Sequence, residues 1–218
     1  PLTLRATFDS SGSHILYAVD HIIITDDVDL NEMVAQMERT GAYGFYLRLG
    51  TNITYCYMRN EHTGAASLKS VGKDIYSWQF NKAFDSFKPG DSTYPHSVDL
   101  TLYKKKDIES MIRRLSFNSP NTFEARWASE SNKIMHRSGL CYKYSKMINI
   151  PVNLVQNDYV GNRSMNAHSP AELLDLFNQN KKIKIQEFYR IKNNAPHMEY
   201  PLTFVEREPV AEKDNVHA

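Results

Sequence analysis

Asp20 follows the apolar stretch Leu16-Tyr17-Ala18-Val19 and is followed in turn by His21 and the run Ile22-Ile23-Ile24. In open α/β sheets, ligands bind beyond the carboxyl ends of strands. A carboxylate emerging there is placed to hold a divalent cation that bridges a diphosphate. Oxygen ligands suit Mg²⁺ or Mn²⁺, and the imidazole of His21 tilts the choice toward Mn²⁺. The competing reading is a polar strand end. Asp26 and Asp27 are better explained as acids at a helix N-terminus.

A second set of groups lies in Tyr94-Pro-His-Ser-Val-Asp99. A turn-rich loop, Lys88–Pro95, leads into a segment that carries an acid, and such loops often supply substrate contacts. Asp99 has the chemistry of a general base that deprotonates an acceptor hydroxyl; alternatively it pairs with one of Lys104–Lys106. Glu124, in Pro120-Asn-Thr-Phe-Glu124, stands three residues after Asn121. That spacing reads first as a helix cap and second as a catalytic acid or base. Arg48, flanked by Leu47 and Leu49, needs an acid or a phosphate once buried, and an internal ion pair is the expected use. Asn149, Asn153 and Gln156 offer amides either to sugar hydroxyls or to loop backbone. Trp78 and Tyr94 are candidate platforms for stacking a sugar ring.

These groups need elements to position them. His14–Thr25 reads as one or two short buried strands around the polar point at Asp20. Residues 27–41 space Leu30, Met33, Val34 and Met37 for a helix that ends at Gly41. Residues 43–49, 53–58, 97–103, 145–150 and 182–188 read as strands, and 59–77 as a polar loop. Helices are expected over 106–115, from Ser119-Pro120, and from Ser169-Pro170 with Glu172 closing a capping box. Strands alternating with helices make an α/β domain. Nothing in the sequence marks a linker, so residues 1–204 form one domain and 205–218 a polar tail expected to fray.

Composition narrows the function. Over 218 residues, 26 Lys+Arg nearly cancel 25 Asp+Glu, which argues against a nucleic-acid platform. No apolar window is long enough to span a bilayer. Cys56 and Cys141 alone build neither a disulfide framework nor a zinc site, so a reducing, cytoplasmic setting is expected. Phosphate-binding glycine loops, the dinucleotide fingerprint and the nucleophile elbow are missing from the sequence, and the histidines lack metal-ligand spacing. The 13 Tyr and 17 Asn suit sugar recognition but equally suit an AT-rich genome. The chain opens at Pro1 without a signal peptide's basic end and apolar run, and reads as a fragment or a processed chain.

Taken in order, Ala18-Val-Asp-His21, Tyr46-Leu-Arg-Leu-Gly-Thr-Asn52, Tyr94-Pro-His-Ser-Val-Asp99, Ser119-Pro-Asn-Thr-Phe-Glu124, Asn149-Ile-Pro-Val-Asn-Leu-Val-Gln156 and His197-Met-Glu-Tyr-Pro201 form a set. The set resembles a poorly characterised family of glycosyltransferase-like proteins with a GT-A-like fold, from about Tyr17 to Arg207. The resemblance implies a Rossmann-like, three-layer domain with a mixed central sheet. It also implies a nucleotide-sugar donor, a carbohydrate or glycoconjugate acceptor, and Mn²⁺ or Mg²⁺ on the donor diphosphate. Asp20 matches the first acid of the family's Val-Asp-Asp motif, and His21 replaces the second. Asp99 and Glu124 match the acids of the third and fourth motifs. A GT-A domain places a βαβ nucleotide-binding region before the acidic motif. Arg5-Ala6-Thr7 resembles the end of its early strand, and residues 8–19 are too few for the remainder. Part of that region is therefore expected to be missing.

The resulting expectation is a glycosyltransferase in which Asp20 and His21 hold the metal and donor. Arg48, Trp78, Tyr94 and Asn153 line the substrate, and Asp99 or Glu124 handles the proton. A non-catalytic carbohydrate-binding or assembly protein on a reduced scaffold is the main alternative, and a metal-dependent phosphotransferase a weaker one.

Overall fold

The computed structural model describes residues 7–63, 66–84, 90–153, 163–165 and 167–208. Among them the strands are β1 His14–Tyr17, β2 Ile22–Ile24, β3 Gly44–Tyr46, β4 Tyr55–Cys56, β5 Glu61–His62, β6 Lys69–Gly72, β7 Ile75–Gln79, β8 Thr101–Lys104, β9 Ser138–Tyr142, β10 Met147–Asn149, β11 Lys181–Ile183 and β12 Phe204–Glu206. The longer helices are α1 Leu30–Thr40, α2 Lys105–Ile112, α3 Pro120–Ala128 and α4 Pro170–Asn178.

Six strands form a mixed sheet in the order β1-β8-β3-β9-β7-β6. Only β3 and β9 run parallel; the other neighbours in this sheet are antiparallel. Alternation along the central strands feeds two cores. Phe45, Leu102 and Leu140 meet Met33 and Met37 of α1 on one face. Tyr46, Tyr103 and Cys141 meet Ile108 of α2 and Phe123 and Trp127 of α3 on the other. Both faces of the sheet are thus covered, which is why its central strands are buried on both sides. The chain is α/β with a mixed central sheet.

Helix ends follow local chemistry. Asp29 caps α1 by accepting from the amides of Asn31 and Glu32, and Gly41 closes it at φ 70°, donating to Met37 O. Only a residue without Cβ takes that left-handed position at no steric cost. Ser169 and Glu172 make the expected capping box on α4.

Several sequence expectations change. The strand read over 43–49 is only Gly44–Tyr46, because Leu47 and Arg48 turn away; that over 53–58 reduces to β4. The polar stretch 59–77 is no plain loop. It contributes β5, β6 and the start of β7, whose Ile75 and Trp78 are buried. The alternating segment 182–188 supplies only the end of β11 before Ile185–Phe188 winds into a 3₁₀ turn. Val205 and Glu206 belong to β12, paired with β11, rather than to a fraying tail. Thr7 lies in a helical turn, not at a strand end, and Arg5 and Ala6 fall outside the described residues. No helix among the described residues is long and apolar enough to cross a membrane.

Candidate active site

The segment from Tyr94 to Asp99 is fastened to the sheet by buried side chains. The Tyr46 hydroxyl donates to Pro95 O at 2.7 Å, and the Tyr103 hydroxyl accepts from the Ser97 amide at 2.9 Å. Tyr103 also lies within donating distance of Pro95 O and Ser97 O. Tyr43 reaches Nε2 of the buried His96, which stacks on Trp127 at 4.8 Å. Burial holds His96 well below the ordinary histidine range, at about 4, so it is neutral and structural. Three of the tyrosines that a sugar site invited are therefore spent on holding this loop.

Arg48 supplies the fourth fastening. It is 1% exposed. Its Nη1 donates to Asp91 Oδ1 at 3.1 Å, and Nη2 to the carbonyls of Asp91 at 2.9 Å and Tyr94 at 2.7 Å. Burial alone would disfavour its charge, but Asp91, Asp99 and Glu124 outweigh that and hold the guanidinium protonated, above its ordinary range. The expected internal ion pair is present, so Arg48 is a clamp on the loop rather than a ligand for substrate phosphate. Nε of Arg48 is buried without a hydrogen-bond partner among the described residues.

This scaffold aims Asp99. Its amide donates to Ser97 Oγ at 3.1 Å, and its carbonyl accepts from Thr101 Oγ1 at 3.0 Å. Leu100, the next residue, is held at φ 40°, in the left-handed region that costs a branched side chain about 1–3 kcal/mol. The kink turns the chain sharply between Asp99 and the start of β8. The Asp99 carboxylate, 13% exposed, has Asn149 Nδ2 at 3.4 Å from Oδ1 and His197 Nε2 at 3.6 Å from Oδ2. Two of the anticipated partners are engaged elsewhere: Lys104 pairs with Glu38, and Lys105 donates to Ser10.

Glu124 corrects its sequence reading more fully. The cap of α3 is made by Ser119 and Thr122, whose side chains exchange bonds with each other's backbone. Glu124 is thereby free to reach inward, accepting the Val98 amide on Oε1 at 3.0 Å. Burial, and then the Asp99 charge, push its carboxyl up to about 7; the Val98 amide, Arg48 and Ser97 pull the other way. Two carboxyl groups thus share one field, and Glu124 keeps its proton to near neutrality.

Stability should register the same pair. An unfolded glutamate ionises near 4.3, whereas Glu124 in the fold keeps its proton to about 7. The native state therefore binds the extra proton across that window, and stability falls as pH rises through it, then levels off. Glu124→Gln keeps the acceptor for Val98 and removes the ionisation. The variant is expected to unfold in urea at least as late as the wild type at pH 8, by roughly 1–3 kcal/mol, and to lose the decline between pH 4.5 and 7.

Asp20 and His21 form the turn between β1 and β2. Tyr17 at the end of β1 pairs with Thr101, two residues after Asp99, and Ile22 at the start of β2 pairs with Asn149. His21 O also accepts the Ile150 amide at 3.1 Å. The turn therefore sits at the sheet end where Asp99 and Asn149 converge. Asp20 is 88% exposed, with its Oδ2 3.8 Å from His21 Nε2. Among the described residues no group of three or more His, Cys, Asp or Glu could hold a metal ion.

Two expected platform or ligand roles change. Trp78 is 3% exposed, packed edgewise on Tyr46 and Phe80, with Gly139 so close that an added Cβ would meet the indole at 2.6 Å. Its Nε1 donates to Ser92 O. No ring face remains for a sugar. Asn153 donates to His168 O at 3.1 Å, serving loop backbone, and Gln156 lies outside the described residues. Tyr94 is half-buried, and its carbonyl serves Arg48. His197 and Asp91 escaped the sequence reading as site residues; their motifs were visible, but not their partners.

Over 167 residues, 67% of this chain, the sequence is 26% identical to the bifunctional glycosyltransferase pgtA of Dictyostelium discoideum. The chain spans about a fifth (21%) of that protein's length. No family model matches the chain. No solved structure matches it.

Proposed function

We propose that this domain transfers a glycosyl group from a nucleotide-sugar donor to an acceptor hydroxyl, with Asp99 as general base and Glu124 as its partner. The observation that carries the reading is the convergence of Asp99 and Glu124 beside Arg48, at the sheet end bounded by the Asp20–His21 turn. Similarity to a glycosyltransferase supports the same class of reaction. In a single displacement, the acceptor O–H bond breaks and its proton passes to Asp99. The acceptor oxygen bonds to the anomeric carbon, and the bond from that carbon to the phosphate oxygen breaks as the nucleoside diphosphate leaves. Asp99 suits the base because its carboxylate retains access to solvent, whereas Glu124 accepts the Val98 amide and keeps its own proton near neutrality.

Asp20 and His21 are the residues that would hold Mg²⁺ or Mn²⁺. Two side chains at an exposed turn, with no third ligand among the described residues, fit an ion whose remaining ligands come from substrate phosphates and water rather than a closed protein cage. Such an ion, when bound, offsets charge on the departing diphosphate. The rival reading is a carbohydrate binder without catalysis. Thermal unfolding with a panel of UDP- and GDP-sugars, with and without Mn²⁺, separates them. The enzyme is expected to show a donor-specific, metal-dependent rise in midpoint; a response to glycans with none to any nucleotide supports the binder. Asp20→Ala is expected to remove the metal-dependent part of donor hydrolysis, followed as released nucleotide. Unchanged turnover would take Asp20 out of the mechanism.

A further inference from the structure

We infer that His197 is a positioning residue that acts through Asp99, standing against one carboxylate oxygen while Asn149 donates to the other. The inference rests on the base role given to Asp99 and goes beyond it by assigning what orients that base. A carboxylate on a kinked loop rotates about its last torsion unless both oxygens are engaged, and a base must present one oxygen to the acceptor in a fixed direction. Here the two neighbours arrive from one paired backbone. The Asn149 amide donates to Pro196 O at 2.8 Å, the Met198 amide donates to Asn149 O at 3.1 Å, and Asn149 and His197 form a parallel bridge. Side chains 149 and 197 are thereby set beside each other, one on each oxygen of Asp99.

The imidazole is itself steered from behind. It lies nearly parallel to the Tyr57 ring, at 18° and 6.5 Å between centroids. Tyr57 is held in turn by its hydroxyl, which donates to Glu199 Oε1 at 2.7 Å, and by the Arg163 guanidinium 4.4 Å from its ring centroid. Arg163 also donates to Tyr57 O at 2.6 Å. Contacts from residues 163 and 199 therefore fix the Tyr57 ring, and that ring steers His197. At 3.6 Å, Nε2 and Oδ2 stand just beyond hydrogen-bond length, as catalytic contacts often do before substrate arrives.

Four variants and two readouts test this. His197→Phe keeps a ring to stack on Tyr57 and loses the donor; His197→Gln keeps a donor and loses the ring. Both are made alone, and His197→Phe is also combined with Asp99→Asn. His197→Phe is expected to lower kcat about tenfold with the acceptor KM changed less than about twofold, and His197→Gln to stay within about threefold of wild type. In the Asp99→Asn background, His197→Phe is expected to change kcat by less than about twofold, since its effect runs through Asp99. Equal losses in Phe and Gln, or an undiminished loss in that background, would overturn the inference. Urea unfolding of the same set reads the contact without catalysis: a coupling factor of about threefold or more in the unfolding constant between positions 99 and 197 supports it, and additive shifts overturn it. If the wild type transfers no sugar from any donor, the functional reading fails by itself, and the unfolding cycle still decides whether His197 engages Asp99.

Discussion

Asp99→Asn is expected to lower sugar transfer by about 10²–10⁴-fold, the usual contribution of a positioned general base, while leaving the domain folded. The substitution keeps the side chain's shape, so Ser97, Thr101 and Asn149 retain their neighbour. What disappears is the carboxylate that takes the acceptor proton, and with it the charge that raises Glu124 next after burial. Burial is the larger cause of Glu124's raised pKa and the Asp99 charge the second. In Asp99→Asn the Glu124 carboxyl should therefore move down from about 7 toward its ordinary range while staying above it. The urea midpoint at pH 8 is expected to hold or rise, because two carboxyl groups no longer compete for charge in one buried space. A variant that loses turnover only because it unfolds would instead show a lower midpoint. Kinetics and unfolding together thus separate a chemical loss from a structural one.

Arg48→Met is expected to cost about 3–5 kcal/mol of stability, the scale for removing one partner of a buried ion pair. For a domain of this size that corresponds to a fall of roughly 10 °C in unfolding temperature. The guanidinium is fully enclosed and donates to one carboxylate oxygen and two carbonyls. Methionine fills much of the volume but leaves those three acceptors without their donor and Asp91 without its counter-charge. Arg48→Lys should recover only part of the loss, since one ammonium cannot reproduce the planar fork across three acceptors. Removing the positive charge also strips Glu124 of a group that favours its ionised form. The pH profile of any remaining activity should accordingly shift toward higher pH. A stability loss without that shift would mean that Arg48 clamps the loop but does not act on the carboxyl pair.

Much of the local structure was legible because it is written in adjacent residues. Asp29 to Gly41 carries both ends of α1, and Ser169 to Glu172 carries the start of α4. What escaped depends on partners far along the chain. β9, Ser138–Tyr142, shows no alternation because both of its faces are buried, and β7 hides behind the polar residues that precede it. Glu124 looked like a cap because a nearby spacing fits one. Thr122 takes that role instead, and the true partner of Glu124 is the amide of Val98, 26 residues earlier. Arg48 announced a buried partner by its apolar flanks, yet nothing in the sequence singles out Asp91, 43 residues on. The tyrosine excess suits sugar recognition and an AT-rich genome alike; at Tyr43, Tyr46 and Tyr103 it serves the loop that carries Asp99. The motifs carry positions 94–99, 124, 149 and 197, which the fold brings near one another. Only the folded chain assigns which residue touches which.

The central claim is that Asp99 is the base of a glycosyl transfer. It is tested most directly by following a labelled sugar from a panel of nucleotide sugars into an acceptor, with wild type and Asp99→Asn side by side at pH 7. The account predicts transfer from at least one donor by the wild type, and a loss of about 100-fold or more in the variant at an unchanged unfolding midpoint. Equal transfer by both proteins, or none from any donor by a folded wild type, would contradict it.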